Sequence, residues 1–304
     1  MARVESTSGR RFGETAPAKI NLYLHVIGRR ADGYHLLDSL VAFAGIGDSI
    51  EVCEAEDLSL VIDGPFAAAL DASQPSNNLA LRAARRLREQ SGVRAGAAIR
   101  LHKALPVAAG IGGGSADAAA TLRALCRLWE LDAGDDDLMA LALELGADVP
   151  VCLAGRAAFV GGIGEQLDFA PSLPPAYVLL VNPGEALATA TVFGARRGAY
   201  SLPARFAGPA ADAGALARLL AERGNDLEAA ARRLAPTVGE ALAALLAAPG
   251  CLLARMSGSG ATCFGLFATG TEAAAAARRL ADHPRWWVAA APLVNDSTTL
   301  KAAI

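Results

Sequence analysis

The sequence predicts an α+β fold of two lobes. Strand-like alternation and helical spacing both occur in each half, a proline cluster at residues 171–175 separates the halves, and 304 residues exceed what one compact core usually holds. Hydrophobic residues make up 53% and charged residues 19% of the chain, a balance that suits a well-buried globular protein and excludes a disordered one.

The elements follow in order. Residues 1–14 are polar and lack an apolar run, so they read as a disordered leader rather than a secretory signal. Residues 16–27 alternate: Ile20, Leu22, Leu24 and Val26 face a core, while Lys19, Asn21, Tyr23 and His25 share the other face. A charged turn over 28–33 leads to β-like runs at 36–43, 49–53 and 58–62. Asn77-Asn78 caps a helix over 79–90, in which Leu79, Ala83, Ala84 and Leu87 recur at helical spacing. Residues 97–101 read as a strand and 106–114 as a loop, and Ser115 opens a helix to about residue 129. A helix over 135–145 stops at Gly146, and 155–164 is a strand and turn.

Beyond the proline cluster lie a strand (177–181), a loop with Thr189 and Phe193, and a Gly/Pro/Ala-rich stretch. Helices around 213–223, 226–234 and 237–247 follow, then a strand–loop–strand over 252–267, a helix over 271–281 and a last strand near 286–290.

Net charge is −3, which leaves no electrostatic footprint for nucleic acid or an anionic membrane, so the charge of an anionic substrate must be met locally. No run of about 18 residues is apolar enough to span a bilayer. The odd count of five cysteines, without a Cys-x-x-Cys pair, fits reduced thiols and a cytoplasmic setting. No His/Cys/Asp spacing suggests a structural metal, and none is expected. In this arginine-rich chain the only lysines are Lys19, Lys103 and Lys301, and the first two flank informative segments.

The most informative segment is Pro106-Val107-Ala108-Ala109-Gly110-Ile111-Gly112-Gly113-Gly114-Ser115-Ala116-Asp117-Ala118. Its glycines remove Cβ atoms where a backbone must approach something closely, and a helix follows at once. The free N–H groups and positive dipole end of that helix suit phosphate. A Walker A loop is excluded because Ala116 follows Gly114-Ser115, and a dinucleotide fingerprint because Ser115 stands where glycine is needed.

This loop resembles the second motif of the GHMP kinases. Ala16-Pro17-Ala18-Lys19-Ile20-Asn21-Leu22 resembles their first motif, and Ser257-Gly258-Ser259-Gly260-Ala261-Thr262-Cys263-Phe264 their third. Arg30-Ala31-Asp32-Gly33-Tyr34-His35 and Leu145-Gly146-Ala147-Asp148-Val149-Pro150 narrow the resemblance to the branch that acts on 4-diphosphocytidyl-2-C-methyl-D-erythritol, in non-mevalonate isoprenoid synthesis. It covers the chain from about residue 15 onward.

The resemblance implies a lobe like the second domain of ribosomal protein S5 (15–168), which binds ATP, and a ferredoxin-like lobe (169–304), with the site in the cleft. It implies ATP as donor with Mg²⁺, and a small-molecule acceptor carrying a cytidine diphosphate group. Residues 106–116 are expected to hold the nucleotide, Asp148 to act on the acceptor hydroxyl as base or orienting group, and Lys19 to lie beside it. Asn21, Tyr34, His35, Thr189 and Phe193 are expected at the acceptor, with Tyr34 stacked on cytosine, His35 reading its edge and Phe193 closing the other face. Phe193 also reads as a core side chain, and Lys103 either as a surface lysine or as added positive potential beside the loop. Asn78 reads as a cap that borders the adenine pocket; His25, His102 and His283 read as structural.

Many family loops have two serines after the glycines where this chain has Ser115-Ala116. Backbone groups must then carry the phosphate, and Ser115, Asp117 or the phosphates themselves must serve the cation. Two alternatives remain: another GHMP kinase of the homoserine or mevalonate type, against which Tyr34, His35 and Phe193 speak, and a non-catalytic ligand sensor, against which the retained Lys19 and Asp148 speak.

Overall fold

Two long antiparallel strands form the spine of the structure, a computed structural model that describes residues 10–70, 77–132 and 134–300. β1 (Arg11–Arg29) and β2 (His35–Ala55) pair from Arg11 opposite Cys53 to Arg29 opposite His35. β2 carries through the break expected between residues 43 and 49 as one strand, but its register with β1 shifts there, Phe43 lying opposite Lys19 and Gly47 opposite Pro17. Residues 11–14, expected in a leader, are instead the first rungs of β1. Residues 1–9 of that expectation lie outside the described residues.

β2 also pairs with β4 (Gly96–His102), β5 (Ala158–Gly162) and, through Phe43 and Ala44, β10 (Trp287–Val294). β3 (Leu58–Asp63) runs parallel to β4, and β6 (Gln166–Phe169) pairs with β5. From β10 the sheet continues antiparallel through β7 (Tyr177–Asn182), β9 (Cys263–Phe267) and β8 (Leu253–Met256). β10 therefore joins the two halves of the chain into one sheet.

α1 (Leu79–Ser91) starts where its cap requires, the Asn78 side chain accepting from the Ala80 N–H. α2 (Gly113–Leu128) starts two residues before the expected Ser115, with Gly112 in the cap position. α3 (Asp135–Leu145) ends at Gly146, whose φ of 163° is extended, so the helix stops without the left-handed cap that a glycine suggests. A short helix that the sequence did not reveal follows, α4 (Val149–Ala154), with Pro150 in its first turn.

Thr189 and Phe193, expected in a loop, lie in α5 (Thr189–Ala195). These seven residues are too few to hold by propensity; burial of Val192 in the C-terminal core holds them. α6 (Ala213–Ala221), α7 (Glu228–Leu234), α8 (Thr237–Leu246) and α9 (Gly270–Leu280) complete the helices, α9 opening on a Thr269/Glu272 capping box.

β1 contributes to every core. Ala16 packs with Phe43, Ile50 and α2; Ile20 and Leu22 pack with Leu105, Ile111 and Phe264; Leu24 and Val26 pack with Val181, Val192 and Phe267. The polar face of β1 is covered too, Lys19 being 3% exposed, Asn21 5% and Tyr23 0%. Polar groups so buried must be paired, and their pairing builds the site. Among the described residues no helix is long and apolar enough to cross a membrane.

Candidate active site

Alternation puts Lys19 and Asn21 on one face of β1, and Lys19 Nζ donates to Asn21 Oδ1 at 3.0 Å. Asn21 Nδ2 is committed to Ser39 Oγ at 2.8 Å, which turns its oxygen toward the lysine. The tight connection from α3 to α4 brings Asp148 to this point, with Oδ2 2.9 Å from Lys19 Nζ. The Lys19 side chain is 4% exposed and that of Asp148 46%. The ammonium is thus fixed in the floor while the carboxylate keeps an open edge.

Residues 106–112 enter α2 through two left-handed glycines, Gly110 (φ 74°) and Gly112 (φ 65°). A Cβ on Gly110 would stand 2.6 Å from Gly260 O, and one on Gly112 3.0 Å from Lys19 Cβ. The loop is therefore threaded between β1 and the C-terminal glycine loop. The Lys19 N–H donates to Ile111 O (2.9 Å), the Thr262 N–H to Ala109 O (3.1 Å) and Ser257 Oγ to Gly110 O (3.0 Å). Ser257 Oγ also accepts the Asn21 N–H at 3.1 Å, so one buried hydroxyl links all three glycine- or lysine-bearing segments.

These segments border one cleft of about 1190 Å³. Lys19, Asn21 and Asp148 line it together with Pro106, Val107, Ala108, Ala109, Gly110, Gly112, Gly113, Gly114 and Ser115, and so do Tyr34, His35, Thr189 and Phe193. Two expected loop residues do not line it. Ile111 and Ala116, each 1% exposed, point into the cores and anchor the loop from behind. Asn78 both caps α1 and lines the cleft.

At the other end of the cleft His35 stacks on Phe193, ring centroids 5.0 Å apart at 26°, while Tyr34 is 61% exposed. Phe193 is thus neither core nor open: one face is already covered by His35, and a base that used that face would have to displace the contact. Thr189 Oγ1 is 3.1 Å from Ser259 Oγ, tying α5 to the C-terminal glycine loop. Partial burial, then the charges of Arg29 and Arg196, lower the pKa of His35 from 6.5. The ring is neutral at pH 7, with one nitrogen free to accept. Ligand binding at this end of the cleft should therefore be level between pH 8 and pH 7, where the ring stays neutral. In Arg29→Gln the titration of His35, followed by proton NMR, should move to higher pH.

The cluster that the sequence did not reveal lies under the loop. Lys103, read as a surface lysine or a source of potential, is 2% exposed. Its Nζ contacts Asp48 on β2 and lies 2.9 Å from Asp117 Oδ2 on α2. Asp48 Oδ1 also accepts the N–H groups of Ala104 and Leu105, at 2.6 and 2.8 Å. Burial works to lower the Lys103 pKa, but Asp117 and Asp48 together hold it above its usual value. Burial pushes Asp117 up to about 8, with Asp48 adding to the rise and Lys103 opposing it. The one hint in the sequence was the rarity of lysine.

His25 is structural, as read. Its Nε2 accepts the Gly224 N–H at 3.2 Å and its Nδ1 donates to Leu202 O at 3.0 Å, which pins the Gly/Pro/Ala-rich stretch to β1.

Comparison with known proteins agrees with this geometry. Residues 78–156 match the family description "GHMP kinases N terminal domain" and residues 206–285 "GHMP kinases C terminal". A 4-diphosphocytidyl-2-C-methyl-D-erythritol kinase of Rhodospirillum rubrum is 54% identical over 96% of this chain and 95% of its own length. One from Paramagnetospirillum magneticum is 55% identical over 93% of this chain and 99% of its own. The chain belongs to the 4-diphosphocytidyl-2-C-methyl-D-erythritol kinase family of the GHMP kinases.

A crystal structure of a 4-(cytidine 5'-diphospho)-2C-methyl-D-erythritol kinase superposes with a TM-score of 0.75 at 36% identity, covering 93% of this chain and 99% of that one. The homoserine kinase of Cytophaga hutchinsonii superposes at 0.70 with 18% identity over 98% of both chains. That second likeness shows the fold alone. The expected two-lobed GHMP kinase fold is therefore the fold of this family member.

Proposed function

We propose that this chain transfers the γ-phosphoryl group of ATP to the 2-hydroxyl of 4-diphosphocytidyl-2-C-methyl-D-erythritol, with residues 15–168 as the nucleotide-binding domain and 169–304 as its partner. The observation that carries the chemistry is the 2.9 Å contact of Lys19 with Asp148 in the cleft that the glycine loop borders. The acceptor oxygen attacks the γ-phosphorus, the bond from that phosphorus to the β–γ bridging oxygen breaks, and ADP leaves. Asp148 orients the hydroxyl and takes its proton, and Lys19 steadies the charge between oxygen and phosphorus. The N–H groups at the start of α2 receive the phosphates. When bound, Mg²⁺ would neutralise phosphate charge, which in such transfers counts for as much as positioning.

The aromatic residues at the other end support a nucleobase-bearing acceptor. Phe193→Ala should raise KM for that acceptor about tenfold, the scale of one lost base–aromatic contact, with kcat and KM for ATP unchanged. Steady-state kinetics check this.

The assignment is tested by supplying ATP, Mg²⁺ and 4-diphosphocytidyl-2-C-methyl-D-erythritol and following ADP release and the phosphorylated product. Turnover is expected. No turnover with this alcohol, alongside turnover with homoserine or mevalonate, would overturn the reading.

A further inference from the structure

We propose that Asp117 is the carboxylate through which this protein takes the divalent cation accompanying the nucleotide. The inference rests on the kinase reading of the cleft but concerns a site which that reading leaves open.

Three buried groups meet beneath the first turn of α2: Asp48, Lys103 and Asp117, with side chains 0%, 3% and 5% exposed. A Cβ on Gly113 would stand 3.1 Å from Lys103 Nζ and 3.7 Å from Asp48 Oδ2, so the cluster lies directly against the glycine loop. The two carboxylates are unequally served. Asp48 has the ammonium and two backbone N–H groups. Asp117 has only a share of the ammonium, through Oδ2. Its Oδ1 is buried and without a hydrogen-bond partner, and Asp117 lines the cleft. A buried carboxylate oxygen with no donor is costly.

Charge gives this orphan its meaning. Two carboxylates face one ammonium, and burial with Asp48 beside it favours a proton on Asp117, so the resting cluster is near neutral beside a loop shaped for an anion. Loss of that proton without a replacement would leave a negative charge that repels a nucleotide phosphate at short range. A divalent cation that displaces the proton to solvent faces the carboxylate on one side and the phosphate on the other, two attractions in place of that repulsion. Mg²⁺ suits the position, because it is commonly held by one or two carboxylates plus substrate phosphates rather than by an all-protein cage. Lys103 then has a positioning role: it fixes Oδ2 and leaves Oδ1 to the cation.

The test measures binding without an acceptor. Mn²⁺ is titrated into the full chain with ADP and followed by electron paramagnetic resonance, and ADP binding in excess EDTA is measured by calorimetry. Asp117→Asn is expected to weaken Mn²⁺ in the ADP complex by at least about tenfold, while metal-free ADP binds as well as before, the amide being a neutral stand-in for the protonated carboxyl. Unchanged Mn²⁺ affinity would overturn the proposal and leave Asp117 as a protonated partner of Asp48 and Lys103 only. An equal loss of metal-free ADP binding would overturn it too, because the residue would then be shaping the loop. Asp117→Glu keeps the carboxyl beside Lys103 and guards against a folding defect in the Asn variant; it should weaken Mn²⁺ measurably, and an unaltered affinity there also counts against the proposal. A wild-type chain that binds no ADP would instead sink the kinase reading itself.

Discussion

Asp148→Asn should lower kcat by at least about a hundredfold while ADP and ATP still bind, the scale of lost acid–base assistance. The asparagine keeps the shape of the side chain, and its oxygen can still accept from Lys19 Nζ, now 2.9 Å from the carboxylate. It cannot take a proton. Because the Asp148 side chain is 46% exposed, its charge is well solvated and its removal should cost little stability. The effect should therefore fall on the chemical step, read by single-turnover quench, with nucleotide affinity read by calorimetry. Near-normal turnover would remove Asp148 from the mechanism and leave Lys19 with the loop as the whole of it.

Gly110→Ala should destabilise the fold by about 2–4 kcal/mol, combining a strained left-handed alanine with overpacking, and should weaken ADP binding. The new Cβ would meet backbone on every side, 2.6 Å from Gly260 O and 2.7 Å from both Gly260 N and Ser257 O. Neither glycine loop can yield without breaking the bonds from Ser257 Oγ and the Thr262 N–H that join them. Gly92→Ala is the internal control: its φ of 69° is equally left-handed, but nothing lies within 4 Å of the added carbon. It should cost only about 1 kcal/mol. Urea unfolding of the two variants separates backbone strain from loop-on-loop packing. Equal costs would mean that the two loops are not held in tight contact.

The site was legible in the sequence wherever its signals are local. Strand alternation put Lys19 beside Asn21, and the glycine run ahead of a helix marked the loop that borders the cleft. Ser257 was quoted only as part of a motif, and nothing in its neighbours tells that its hydroxyl bridges Asn21 and Gly110, residues more than a hundred positions away. Ser39, which orients the Asn21 amide, left no signal at all. Ile111 and Ala116 were read with the nucleotide because a motif reports adjacency in sequence; their burial depends on which core each reaches.

Sequence by itself determined the α+β order of elements, the position of the glycine loop, the face of β1 that carries Lys19 and Asn21, and membership of the kinase family. Period-2 and period-3.6 patterns, caps and glycine runs act within a few residues, so they survive in a linear reading. Tertiary structure alone decided that α5 is a helix, that His35 covers Phe193, and that Lys103 is buried between Asp48 and Asp117, 55 positions before it and 14 after. Burial and charge pairing are settled by what else arrives at a point in space, and those partners are brought there by the sheet and by α2.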